Sequence, residues 1–355
     1  MKYLIKKYWL LLIFALIVNV PLVFVCSYRT DQALILKGDT TKFTSVVSVD
    51  TDYETKGSFS TIYVTSMERS TIFQNWITDN IKTVERYTMS SSETHISDSE
   101  SYQAGKIQYN SSIESSIILA YTYAMKEDSS INIEYSLSYL EVTYYDVNSV
   151  FRIGDRITKI NDIDVSNYIG ETITLTYAHE ADTEKGISAY EGDKITYTRD
   201  GKEYETYFTR DNYFSAYRRY NINYNTISPK LSISSNMIGG PSGGLLQTLS
   251  IYNQLVEEDL THGLKIAGTG TIGIVKSDSD YAFDGTVGAI GGIREKVPTA
   301  LDDDIDVFFC VDANYEDALD AYNSLSGHEK MKLIKVSTFK DALNYLKEGY
   351  KDDFE

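Results

Sequence analysis

Ile238-Gly239-Gly240-Pro241-Ser242-Gly243-Gly244-Leu245 is the stretch on which the fold turns, because a glycine-rich turn here opens directly into an amphipathic helix. The spacing of Leu245, Leu246, Leu249, Tyr252, Leu255 and Val256 predicts that helix over 242–256. Ser242 stands between small residues at its start, where a nucleophile would be reachable. The glycines let a substrate backbone come close, and a helix N-terminus offers N–H groups to a developing oxyanion. Gly240, Pro241 and Gly243 are therefore the candidate substrate and oxyanion loop. Taken alone, the same residues make an ordinary capping turn, so a catalytic serine needs a base from elsewhere in the chain.

Four histidines are present, His95, His179, His262 and His328, and none sits in a patterned setting. The second conspicuous segment is Asp284-Gly285-Thr286-Val287-Gly288-Ala289-Ile290-Gly291-Gly292-Ile293-Arg294-Glu295-Lys296. A lysine at a glycine-rich strand-to-helix junction can be desolvated, which disfavours its charged form and makes a neutral amine available as a base near neutral pH. By itself, Lys296 reads as a solvated lysine at a helix start.

In this order, Gly-Pro-Ser-Gly-Gly, the Asp-Gly-Thr-Val-Gly turn and Gly-Gly-Ile-Arg-Glu-Lys resemble the Lon proteolytic domain. The resemblance implies a Ser-Lys dyad, with Ser242 as nucleophile and Lys296, at the second basic position of the last motif, as general base. Arg294 does not fit that role, because a guanidinium keeps its proton in a protein. The resemblance also places a lysine-orienting threonine at Thr269, within Ala267-Gly268-Thr269-Gly270-Thr271-Ile272, and makes the Ser242 N–H an oxyanion donor. The chain is most similar to the PDZ-containing, membrane-anchored Lon-like peptidases of Gram-positive bacteria, in which a transmembrane segment leads, a Lys-Gly-Ser-Phe strand follows (here Lys56 to Phe59) and the Lon motifs close the protein. The implied fold is an α/β (α+β) Lon-type peptidase domain with an inserted, PDZ-like, β-rich domain and one N-terminal transmembrane helix. Two departures stand out. Gly243 occupies a position that is usually alanine, and Lys276 to Phe283 reads as an extra acidic loop.

Outside these motifs, Lys2, Lys6 and Lys7 precede an apolar run from Tyr8 to Cys26, interrupted by Asn19 and Pro21. At 1.5 Å per residue the run is about 28 Å long, close to a bilayer's hydrocarbon core. The flanking lysines leave the rest of the chain outside the cell, and no small-x-small cleavage site follows, so a retained anchor is expected over a cleaved signal peptide. The expected divisions are 1–30 for the anchor, 31–132 for the first part of the peptidase body, 133–212 for the PDZ-like block and 213–355 for the catalytic domain. In the body, a strand is predicted over Gly57–Met67, helices over 71–87 and 111–125, a loop over 90–108, strands over 265–274, 307–311 and 333–336, and a helix from Thr338. The PDZ-like reading rests on Gly154, Asp155, Ile157, Ile160 and Asn161, and on a hairpin over 193–208 that turns at Asp200-Gly201. Its rival is a small β-insert without a ligand.

A net charge of −18 argues against nucleic acid as a partner. Cys26 and Cys310 are placed too differently to bridge. Gly268-Thr269-Gly270-Thr271-Ile272-Gly273 satisfies GxGxxG, but residues 274–284 lack helical periodicity, so nucleotide binding is not expected. The chain has no GxxxxGK[ST], HExxH or CxxC, so neither an ATPase motor, a metal nor a cofactor is expected. The expected activity is therefore an ATP-independent extracytoplasmic serine endopeptidase acting on exposed or unfolded peptides, such as secreted signalling peptides. The alternative is a non-catalytic, peptide-binding PDZ scaffold at the cell surface. A homo-oligomer stays open, because Lon domains often form hexameric rings.

Overall fold

The chain begins with helix α1 (Lys2–Ser27), in which Lys7–Ser27 has a mean hydropathy of 2.7 and no part buried against the rest of the protein. This stretch of 21 residues is long and apolar enough to cross a membrane. In this computed structural model, residues 2–81, 83–167, 172–176, 186–234, 239–273 and 285–351 are described. The acidic segment 276–283 lies outside them.

After α1 come β1 (Gln32–Lys42), β2 (Ser58–Met67), α2 (Ile72–Thr78), β3 (Glu85–Thr88) and the long helix α3 (Asp98–Ala124). The helix expected over 71–87 therefore stops at Thr78, and the chain turns back as a strand on the edge of β1. Arg86 pairs with Asp79 across that reversal at 2.8 Å. The loop expected over 90–108 is corrected too, since α3 starts at Asp98. Ser97 and Glu100 form a capping box there, each side chain accepting from the other's backbone N–H, and this nucleates a helix in a polar stretch that lacks an apolar stripe.

The next strands are β4 (Tyr135–Tyr145), β5 (Arg156–Ile160), β6 (Lys194–Arg199), β7 (Lys202–Tyr207) and β8 (Phe214–Ile222). They form one sheet in the order β7-β6-β5-β4-β8. The β6–β7 hairpin turns at Asp200-Gly201 as predicted, both with positive φ. Asp155, which follows Gly154, is buried and accepts from the Arg199 Nε at 2.7 Å, so the Gly-Asp pair ties two strands together. The chain leaves the body on β4 and returns on β8, its antiparallel neighbour over the full length, so this sheet runs past 212 to Ile222.

Then follow α4 (Gly244–Leu255), β9 (Lys265–Gly268), β10 (Thr271–Gly273), β11 (Thr286–Gly288), α5 (Ile293–Asp302), β12 (Val307–Val311), α6 (Tyr315–Asn323), β13 (Lys332–Val336) and α7 (Phe339–Asn344). The body is a mixed α/β layer around the sheet β13-β12-β9-β2-β1-β3, in which β1 alone runs antiparallel to both of its neighbours and to the rest. Helix α3 packs against α4, and its buried Ser112 and Ser116 both donate to Gln247 of α4. On another side of α3, Glu114 accepts from Arg219 of β8 at 2.8 Å and from the Tyr220 N–H at 2.8 Å, and Arg219 also pairs with Glu141 of β4. A half-buried charge cluster held by this many hydrogen bonds joins the β-rich unit to the body at a fixed position.

Candidate active site

Three separated pieces of chain meet at Ser242. The turn before α4 supplies Ser242, the corner between β9 and β10 supplies Thr269, and the first turn of α5 supplies Lys296. Lys296 Nζ donates to Ser242 Oγ at 2.7 Å and to Thr269 Oγ1 at 3.2 Å. The Thr269 hydroxyl in turn donates to the Ser242 carbonyl at 3.2 Å, and the Gly270 N–H donates to the same oxygen at 2.7 Å. One threonine thus aims the amine and holds the serine's backbone. That corner requires Gly270, whose φ is +148° and where a Cβ would lie 2.2 Å from Val287.

Ser242 is partly exposed, whereas Lys296 is 2% exposed and Thr269 fully buried. Burial pushes the Lys296 amine down to about 7, because the folded protein strips the charged form of its water. Arg294 is on the other side of α5 and pairs with Asp317 and Asp320 of α6 at 2.7 and 2.8 Å, so it faces away from the serine. Glu295 is buried and directed toward Glu85, and burial followed by the Glu85 charge raises its carboxyl to about 7. His95, His262 and His328 each hydrogen-bond a backbone carbonyl elsewhere and do not bond Ser242, and His179 lies outside the described residues.

The loop 240–243 is braced from below by residues that carry no sequence signal of their own. Gly240 N–H donates to the Gly105 carbonyl of α3 at 2.9 Å, and Ser112 Oγ lies 3.3 Å from the Pro241 carbonyl. Gln247, buried one turn into α4, accepts from Ser112 at 3.0 Å and Ser116 at 3.3 Å. Among the described residues, the Ser242 and Gly243 N–H groups have no hydrogen-bond partner, which leaves both available to an oxyanion.

Position 243 leaves no room for a side chain. A Cβ there would meet Thr61 Oγ1 of β2 at 2.6 Å and Gln247 Nε2 at 3.1 Å, although its φ of −89° suits any residue. Gly243→Ala is therefore expected to destabilise the protein by about 1–3 kcal/mol through overpacking. Adding Thr61→Ala should restore most of the thermal midpoint, and an unchanged midpoint in the double variant would rule out this contact as the cause.

Two hollows flank the serine turn. One of about 260 Å³ is bounded by Ser112, Pro241, Ile272, Thr286 and, from the β-rich unit, Tyr217. A longer groove of about 740 Å³ runs past Gly239 along Val64, Thr65 and Met67 of β2. β9 pairs with β2 only over Ser58–Thr61, so among the described residues the later part of β2 keeps a free edge on that side. The GxGxxG stretch folds as strand, corner and strand, with β10 paired to β11, and the residues that follow it, 274–284, lie outside the described ones. Among the described residues, no three His, Cys, Asp or Glu side chains are grouped to hold a metal. No protein-family model matches the chain, and no curated protein does.

Proposed function

We propose that this protein is an ATP-independent serine endopeptidase of the Lon type, held at the outer face of a membrane by α1, with Ser242 and Lys296 as its catalytic dyad. The observation that carries the proposal is the 2.7 Å bond from a buried lysine amine to a reachable serine hydroxyl. A structural lysine gains nothing from such a site, because its amine is buried with no carboxylate partner among the described residues, which opposes its charge. A peptide-binding scaffold would require neither group.

In the reaction the neutral Lys296 amine takes the proton from Ser242 Oγ as the oxygen attacks the scissile carbonyl carbon. The carbonyl oxygen becomes an oxyanion next to the Ser242 and Gly243 N–H groups. Lys296 then passes its proton to the leaving amine, the C–N bond breaks and an acyl-serine remains. A water that loses its proton to Lys296 releases the acid and regenerates the hydroxyl. The edge of β2 beyond Thr61 supports an extended peptide in the groove, since among the described residues its backbone groups on that side are unpaired. The sheet from β4 to β8 fits a PDZ-like domain inserted into the peptidase body, leaving and returning on adjacent strands. The three lysines before the apolar run support a cytoplasmic N-terminus, with the dyad outside the cell.

The test is the pH dependence of cleavage of an unstructured peptide by the full-length protein in detergent micelles. Only the neutral amine accepts a proton, so kcat/KM is expected to rise with pH through about 7 and then level off. Glu295 titrates in the same range, and Glu295→Gln should leave the rising limb in place. A flat profile, or a limb that disappears with Glu295→Gln, would remove Lys296 as the base.

A further inference from the structure

Helix α2 turns an apolar face to solvent directly beside the end of α1. Phe73, Trp76 and Ile77 lie on that face with Ile81 beyond them, and Trp76 is 71% exposed. No residue of Ile72–Thr78 is charged, so whatever covers the face need not supply a counter-charge. The opposite side of α2 is firmly bonded. Thr71 and Gln74 form a capping box, Asn75 accepts from Ser70 at 2.8 Å and donates to Thr30 at 3.0 Å, and Thr78 is buried. The apolar face is therefore held outward by an anchored helix.

The level of that face is fixed as well. Ile72 N–H donates to the Tyr28 carbonyl at 3.4 Å, Thr30 N–H to the Ser70 carbonyl at 2.9 Å, and Arg29 and Thr71 form a bridge. α2 thus starts beside the residue at which α1 ends. The apolar run of α1 is bracketed by Trp9 and Tyr28, aromatic side chains of the kind that settle at headgroup depth. Trp76 is of the same kind, and with the wholly apolar Phe73 it sits next to the Tyr28 end of the span.

We propose that the Phe73, Trp76 and Ile77 face of α2 docks on the lipid bilayer, as an interfacial contact beside the spanning helix. The proposal rests on the reading of α1 as a membrane span. A bilayer is the occupant because the face is continuous with an apolar helix that itself has no protein cover, and because it is uncharged. Two attachment points fix the tilt of the body where a single helix would leave it free to swing. Gln74 of α2 and Arg29 both line the 740 Å³ groove, so docking also sets the height of the groove above the lipid.

The chain has two tryptophans, Trp9 and Trp76, so each can be made the sole reporter in the full-length protein in phosphatidylcholine vesicles. With Trp9→Phe, Trp76 emission should be blue-shifted, shielded from acrylamide and quenched by lipids brominated near the headgroup. With Trp76→Phe, Trp9 should be quenched by brominated lipid as well. Bromine quenching of Trp9 but not of Trp76 overturns the docking and leaves the span intact. Trp76 shielded from acrylamide yet untouched by bromine also overturns it, and points to a protein cover such as a second copy. If neither tryptophan senses bromine, α1 is not in the bilayer, and the membrane reading falls together with the docking.

Discussion

Ser242→Ala is expected to lower kcat for peptide cleavage on the order of 10³-fold or more, and Lys296→Ala to do the same. The two residues act as one unit across a 2.7 Å bond, because the hydroxyl is a weak nucleophile without the amine and the amine has no other task. The double variant should therefore be no slower than either single one. Peptide affinity should change little in all three, because the groove along β2 and the hollow at Tyr217 do not depend on the dyad. The measurement is turnover of one unstructured peptide by the four proteins, with binding followed separately by anisotropy. Losses that multiply in the double variant would mean two independent contributions. Full turnover with Ser242→Ala would end the dyad reading outright.

How much of this was legible in the sequence depended on whether the signal was local. The helix after Ser242 carried its own 3.6-residue period, and the β6–β7 hairpin carried Asp200-Gly201 at its turn, so both could be read directly. α3 is only half legible, because its first turns lack an apolar stripe and the helix is started there by the Ser97 and Glu100 cap. β1 is not legible because its second half, Gly38-Asp39-Thr40-Thr41, is polar, and the strand exists through its ladders to β2 and β3. At the site, Ser242 and Lys296 could be named only as an ordered pair of motifs. They lie 54 residues apart, and neither segment specifies the other's distance. Gln247 and Thr61 were invisible for a related reason. Their role is to fill the space under the serine turn, and residues that fill space carry no motif.

Lys296→Met is expected to raise stability at neutral pH while removing activity. The sign comes from proton linkage. The amine titrates at about 7 in the folded protein against an ordinary value of 10.5, so between those two values the unfolded chain binds a proton that the folded one does not. Stability from this group therefore rises with pH from about 7 to 10.5 and is lowest below 7. At roughly 1.4 kcal/mol per pKa unit, the buried lysine lowers stability near pH 7 by about 3–5 kcal/mol. Methionine fills a similar volume without the charge, and it gives up the amine's bonds to Ser242 and Thr269, worth about 0.5–1.5 kcal/mol each. The net gain should be about 1–3 kcal/mol at pH 7 and should fade or reverse near pH 10, where the lysine's penalty is nearly gone. Glu295 titrates in both proteins and cancels in the difference. Thermal midpoints of the two full-length proteins in micelles, compared at the two pH values, provide the check. An equal loss of stability at both would show that the lysine is held for structural bonds. A gain confined to neutral pH would show that the fold carries a destabilising group at its centre, which a reaction requiring a neutral amine would account for.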